Sequence, residues 1–188
     1  MATMDVRMEA TVRGTDGETL GRVWAMLIAK RDRDVVLTHL LIEGGAFERD
    51  ALLPFALVGM SSGQEIVLRV SKREALEHAE AREPEDSVLI YRNDPVHAVD
   101  ARLGHIRGFY ADEAGKVSDL LINDEVSRLL SMVSIRAVDE ISPHYIQLGS
   151  RIGAMGELLK PQQAFYKPVE LRRDQELYGH GHGTQRQH

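Results

Sequence analysis

Leu20-Gly21-Arg22-Val23, an apolar run, and Leu40-Leu41-Ile42 return further along the chain as Leu103-Gly104-His105-Ile106, an apolar run, and Leu120-Leu121-Ile122. The Leu-Gly pairs stand 83 residues apart, and an internal repeat changes what every other residue means. Each copy opens on a turn-like stretch, Gly14-Thr15-Asp16-Gly17 in the first and Val99-Asp100-Ala101-Arg102 in the second. Past each Leu-Leu-Ile comes a polar gap, then an apolar strand (residues 52–58 and 132–138), a turn, and a last short strand (66–70 and 145–148).

The periodicity within each copy is that of strands. Val6, Met8, Ala10 and Val12 alternate with Arg7, Glu9 and Thr11, the period of two that a half-buried strand requires. Val133, Ile135 and Ala137 alternate in the same way with Ser134 and Arg136. Residues 23–29 and 35–42 are apolar on both faces, and their length and β-branched content favour strands over short buried helices. Ala114-Gly115 supplies the permissive glycine of a tight hairpin, and Pro54 implies a sheet edge or a barrel rim. Ser71 with Glu74 is a capping-box pair, predicting a helix from Lys72 to about Arg82 that Pro84 ends.

These elements predict a mainly β chain. Residues 6–79 form one unit, 80–94 a solvated linker, 95–157 a second, divergent unit, and 158–188 a partly flexible tail. A unit of this size buries only about 60% of its surface alone, so the two should pack together, within one chain or between chains. With 188 residues, 28% charged and 43% hydrophobic, the composition is that of a folded globular protein. The formal charge of -6 disfavours direct nucleic-acid binding. Absence of cysteine excludes disulfides, a thiol nucleophile and cysteine-based metal sites, and fits a cytoplasmic setting. The charged N-terminus argues against an export signal. The longest uncharged stretch, residues 51–64, is too short and too rich in Pro and Gly for a membrane-spanning helix.

Asp16-Gly17-x-x-Leu20-Gly21-Arg22-Val23, a hairpin into Leu40-Leu41-Ile42, then Leu53-Pro54-Phe55-Ala56-Leu57-Val58 and Ile66-Val67-Leu68 together resemble a PRC-barrel domain. The second copy resembles a divergent one, with Ala101 in place of Gly17 and no counterpart of Pro54. The resemblance spans roughly residues 6–157. It implies two small antiparallel β-barrels in tandem, with short helices and an irregular C-terminal tail, and no characteristic catalytic residue or cofactor. Similar domains include the cytoplasmic part of the photosynthetic reaction centre H subunit and the C-terminal domain of a ribosome maturation factor. The implied roles are therefore a self-associating protein-interaction module, a ribosome maturation or RNA-processing accessory acting through protein contacts, or a peripheral component of a photosynthetic or other membrane complex. Fold alone does not choose among them.

No P-loop, dinucleotide fingerprint, His-Glu-x-x-His or nucleophile elbow is present in the sequence, which argues against common enzyme classes. Among eight histidines, His97 and His105 flank one turn with Asp100 between them and are candidate metal ligands. Exposed strand histidines are the favoured reading. His180 and His182 lie in a Gly-His-rich end whose setting is too flexible for a preorganised site. Trp24, Phe109 and Tyr110 read most simply as barrel core or as the contact between the two copies, with Trp24 and Tyr110 the alternative anchors for a protein partner.

Overall fold

The computed structural model describes residues 3–45, 50–80, 82–125, 129–151 and 160–161. The first half runs β1 (Met4–Arg7), β2 (Thr11–Arg13), β3 (Thr19–Arg31), β4 (Asp34–Glu43), β5 (Ala51–Pro54), a 3-10 turn (Phe55–Leu57), β6 (Val58–Ser61) and β7 (Glu65–Leu68), followed by helix α1 (Lys72–Glu77). The second half repeats the order: β8 (Ser87–Tyr91), β9 (Pro95–His97), β10 (Arg102–Ala111), β11 (Val117–Asp124), β12 (Leu130–Ser134), a 3-10 turn (Ile135–Ala137), β13 (Val138–Ser142) and β14 (Tyr145–Leu148), with a short β15 (Lys160–Pro161). The protein is mainly β, in two mixed sheets ordered β5-β4-β3-β2-β7-β6 and β13-β14-β9-β10-β11-β12-β15. Among the described residues neither path closes on itself.

The two sheets share a register. Leu40 lies opposite Met26 and Leu53, and Leu120 opposite Phe109 and Val133. Val12 lies between Gly21 and the parallel Ile66, and Val96 between Gly104 and the parallel Ile146. The repeated Leu-Gly has a steric cause. A Cβ on Gly21 would sit 2.5 Å from the Glu43 carbonyl oxygen, and one on Gly104 2.2 Å from that of Asn123, so only glycine lets these backbones approach.

Two apolar runs expected as single strands are broken at matching places. Residues 52–58 split around the 3-10 turn entered from Pro54, and residues 132–138 around the one entered from Ser134. Pro54 and Ser134 share an extended backbone, with φ and ψ of -54° and 132° and of -58° and 136°. Pro54 stands on β5, at the end of its sheet. Residues 133–137 keep a strand's alternation across the second turn and residues 52–58 are apolar throughout, so periodicity alone marks neither break.

The other break reorganises the molecule. The alternating run from Val6 to Val12 is two strands bound for different sheets. β1 pairs with β10 of the second half, Met4 opposite Ala111 through Arg7 opposite Gly108, whereas β2 pairs with β3 and β7 of the first. Reciprocally β8, inside the stretch read as linker, pairs with β3, Ala25 opposite Tyr91 through Ala29 opposite Ser87. Each half thus donates its first strand to the other. The crossings are built alike: Glu9 and Asn93 adopt left-handed φ of 69° and 70°, and their amides donate to the Val23 and Ile106 carbonyls at 2.7 and 3.4 Å. Left-handed backbone is uncommon for residues with a Cβ, and here it turns the chain from one sheet to the other. One core results. Met4 and Val6 from β1, Met26 and Leu40 from the first sheet, Ile90 from β8, and Phe109 and Leu120 from the second sheet belong to a single apolar cluster.

Helix α1 carries the expected capping box, the Ser71 amide donating to Glu74 at 2.9 Å and the Glu74 amide to the Ser71 hydroxyl at 3.4 Å. It stops at Glu77, short of Arg82, because Glu80 turns back to exchange backbone hydrogen bonds with Leu52 at 2.8 and 3.4 Å. The Ser71 amide, and then its hydroxyl, hold the Glu74 carboxyl below its ordinary pKa. A carboxyl depressed in the folded state stabilises above its unfolded pKa and loses that contribution as pH falls through the folded value. Loss of the N-cap hydroxyl in Ser71→Ala is expected to cost about 1 kcal/mol, and because that hydroxyl also binds the Glu74 carboxylate, urea titrations in acid should show the gap from wild type narrowing. A gap independent of pH would mean that the hydroxyl's bond to the carboxylate adds nothing and that the Ser71 amide alone holds it.

Candidate interaction surface

Trp24 sits on β3 where the register to β4 slips, Val23 opposite Ile42 and Ala25 opposite Leu41. The extra residue of such a bulge is unpaired and re-aims its side chain. Trp24 is 42% exposed. This corrects its reading as core, which Phe109, fully buried, does satisfy. The second half slips at the same place, between Ile106 and Gly108, and there the residue is Arg107, whose guanidinium reaches Glu9 at 3.2 Å. Glu9 also pairs with Arg92, so the crossing at Glu9 is clasped by two cations.

Tyr110 is half-buried and donates its hydroxyl to Asp5 at 3.3 Å. Asp5 is itself bound by the Arg7 guanidinium at 2.5 Å, which raises the Arg7 pKa above its ordinary value. Tyr110 therefore helps fasten β1 to β10, which leaves Trp24 the more available of the two candidate anchors.

The histidines go to separate partners. His97 lies opposite Arg102 and meets the Tyr145 ring in a T-shaped contact, centroids 6.5 Å apart. His105 lies opposite Pro95; its Nδ1 is 2.7 Å from the Asn93 carbonyl oxygen and its Nε2 3.0 Å from Glu125. Asp100 is exposed in the turn between them. Among the described residues no three His, Asp or Glu side chains converge as a metal site; His180 and His182 lie outside those residues.

No family model matches the chain, and no curated protein matches it. The surface must be read from its own chemistry. Among the described residues no helix is long and apolar enough to cross a membrane.

A feature without a sequence motif lies where the halves meet. A cleft of about 160 Å³ opens between the β3–β4 hairpin, β8 and β13. Its walls are Ile28, Ala29, Val35, Val88, Val138 and Ile141. Lys30, Asp139 and Glu140 complete the lining. The Glu140 carboxylate accepts from the Ser142 hydroxyl and from the Tyr145 hydroxyl at 2.9 Å. Ser142 first, then Tyr145, hold it below its ordinary pKa, so it stays an anion at neutral pH.

Proposed function

We propose that this chain is a non-enzymatic, cytoplasmic interaction and assembly module of two PRC-type barrels in tandem, and that it self-associates. The carrying observation is Trp24, an indole exposed on a central strand of its sheet. A large side chain kept in water at a fixed position is poised to anchor a partner, and tryptophan is prominent among residues that dominate binding energy. The barrel reading draws support from the bulges at Trp24 and Arg107, since bulges are the devices that bend sheets toward closure.

The test is affinity purification at low salt of the tagged wild type and of Trp24→Ala, with mass spectrometry and sizing of what is recovered. Loss of a hot-spot tryptophan costs at least about 2 kcal/mol, so the stoichiometric partner or oligomer should weaken roughly 30-fold in a variant whose circular dichroism is unchanged. A wild-type monomer that retains no specific partner, or a Trp24→Ala variant that retains the same one equally, overturns the reading.

A further inference from the structure

The halves agree in register from strand to strand, so the place where they part is informative. In the first half the seam between β1 and β6 is closed: Asp5 bridges Ser62, and the Ser61 hydroxyl donates to the Asp5 carbonyl at 2.5 Å. The turn at residues 112–116, at the tip of the β10–β11 hairpin, folds down beside it. The Leu37 amide donates to the Gly115 carbonyl at 2.7 Å, and a Cβ on Gly115 would lie 3.1 Å from Phe55. The equivalent seam between β8 and β13 lacks these closures. Here the β3–β4 hairpin is longer, pairing as far as Arg31 opposite Asp34, where the shorter hairpin's strands end with Ala111 opposite Val117. Among the described residues no bridge joins β8 to β13; a stack of Tyr91 on His144, centroids 5.9 Å apart, holds one end, and the cleft occupies the other.

Four consecutive residues of β13, Val138 through Ile141, line that cleft. Successive strand side chains point to opposite faces, so consecutive lining means that the strand's edge borders the space. β13 is also the terminal strand of its sheet, paired only with β14 among the described residues. An unpaired edge is a template for an extended chain, and in the first half the corresponding edge is bridged by such a chain, β1. The charged lining is mainly acidic, Asp139 and Glu140 against Lys30, with the two acidic residues on opposite faces of the strand whose edge they flank. A space of this volume is comparable to an engineered cavity that accepts benzene, enough for one leucine or phenylalanine side chain.

We propose that the cleft docks an extended peptide segment of a partner protein, which runs along the edge of β13, seats one large apolar side chain between Val88 and Ile141, and turns the neighbouring lysine or arginine to the other face of the strand, toward Glu140. This rests on the reading of the chain as an interaction module and names a second, Trp24-independent contact. Purified full-length chain with labelled Ile and Val methyl groups is titrated with three capped synthetic peptides, Ser-Lys-Phe-Lys-Ser, Ser-Glu-Phe-Glu-Ser and Ser-Lys-Gly-Lys-Ser. The first should give saturable shifts centred on Val88, Val138 and Ile141, the second should bind at least tenfold more weakly, and the third should leave those methyl groups unmoved. Val88→Phe, which fills the slot, should abolish the shifts. Should that variant misfold, Asp139→Asn with Glu140→Gln decides, losing about tenfold for the first peptide together with its dependence on salt. Absence of saturable shifts, shifts centred elsewhere, or equal affinity for the lysine and glutamate peptides overturns the proposal. A Trp24-dependent partner retained under those outcomes leaves the interaction-module reading standing alone.

Discussion

Truncation of Ile90 to alanine should destabilise the first sheet by about 2–5 kcal/mol, although Ile90 belongs to the second half of the sequence. Its side chain is fully buried opposite Met26, in the strand that β8 lends to β3. The cost combines lost burial with the cavity left in a core that both halves line. Urea unfolding read by the Trp24 fluorescence of the first half and by the methyl signals of Phe109 neighbours in the second should give one coincident transition, displaced as a unit by Ile90→Ala. Coincident probes are the mark of a single cooperative unit. Two separated transitions, with only the second moved, would mean that the halves are independent and that the exchanged strands add little. The same cooperativity predicts that a full-length chain cleaved at a protease site placed within residues 82–86 stays a 1:1 complex on sizing.

Gly108→Val attacks the exchange from the other side. Gly108 faces Arg7 across the β1–β10 ladder, and a Cβ there would lie 2.2 Å from the Val6 carbonyl oxygen and 2.9 Å from the Arg7 Cα. Backbone atoms cannot rotate away as a side chain can, so either β10 distorts or β1 leaves. Overpacking of a tight site costs about 1–3 kcal/mol and sometimes more; expulsion of β1 adds exposure of Val6, worth about 1.5–3 kcal/mol. We expect a loss of at least about 3 kcal/mol in urea, with amide protection vanishing first from residues 4–7. A variant within 0.5 kcal/mol of wild type, about the scatter of an innocuous surface change, would show that the close approach is not what selects glycine.

The repeat, the strand period and the capping box were legible because each is local: Leu20-Gly21 and Leu103-Gly104 face the same steric demand, and Ser71 finds Glu74 three residues away. The exchange was not. Val6, Met8, Ala10 and Val12 are all buried, so the alternation continues unbroken through a crossing that only the backbone of Glu9 records. Residues 87–91 read as linker in the sequence because the Glu-Pro-Glu-Asp preceding them is charged and their partner lies in β3, far back in the chain. The apolar neighbours of Trp24 point to a core position in a regular strand, an inference that fails at a bulge. The cleft has no motif. Its one trace in the sequence is that Leu-Gly repeats after 83 residues but Leu-Leu-Ile after only 80, a difference that measures the longer first hairpin.

The lending of β8 to β3 also sets a schedule for synthesis. A ribosome adds about 5–20 residues per second, so Ala29 waits some 3–12 s for Ser87, opposite which it finally lies, and β1 waits longer for β10. During that interval β3 offers an apolar edge to solvent, the kind of surface that attracts chaperones and other nascent chains. A product truncated before β8 never completes its first sheet. Reciprocal lending makes the two halves together the smallest object that can complete either sheet, and leaves a product that ends before β8 open to proteolysis.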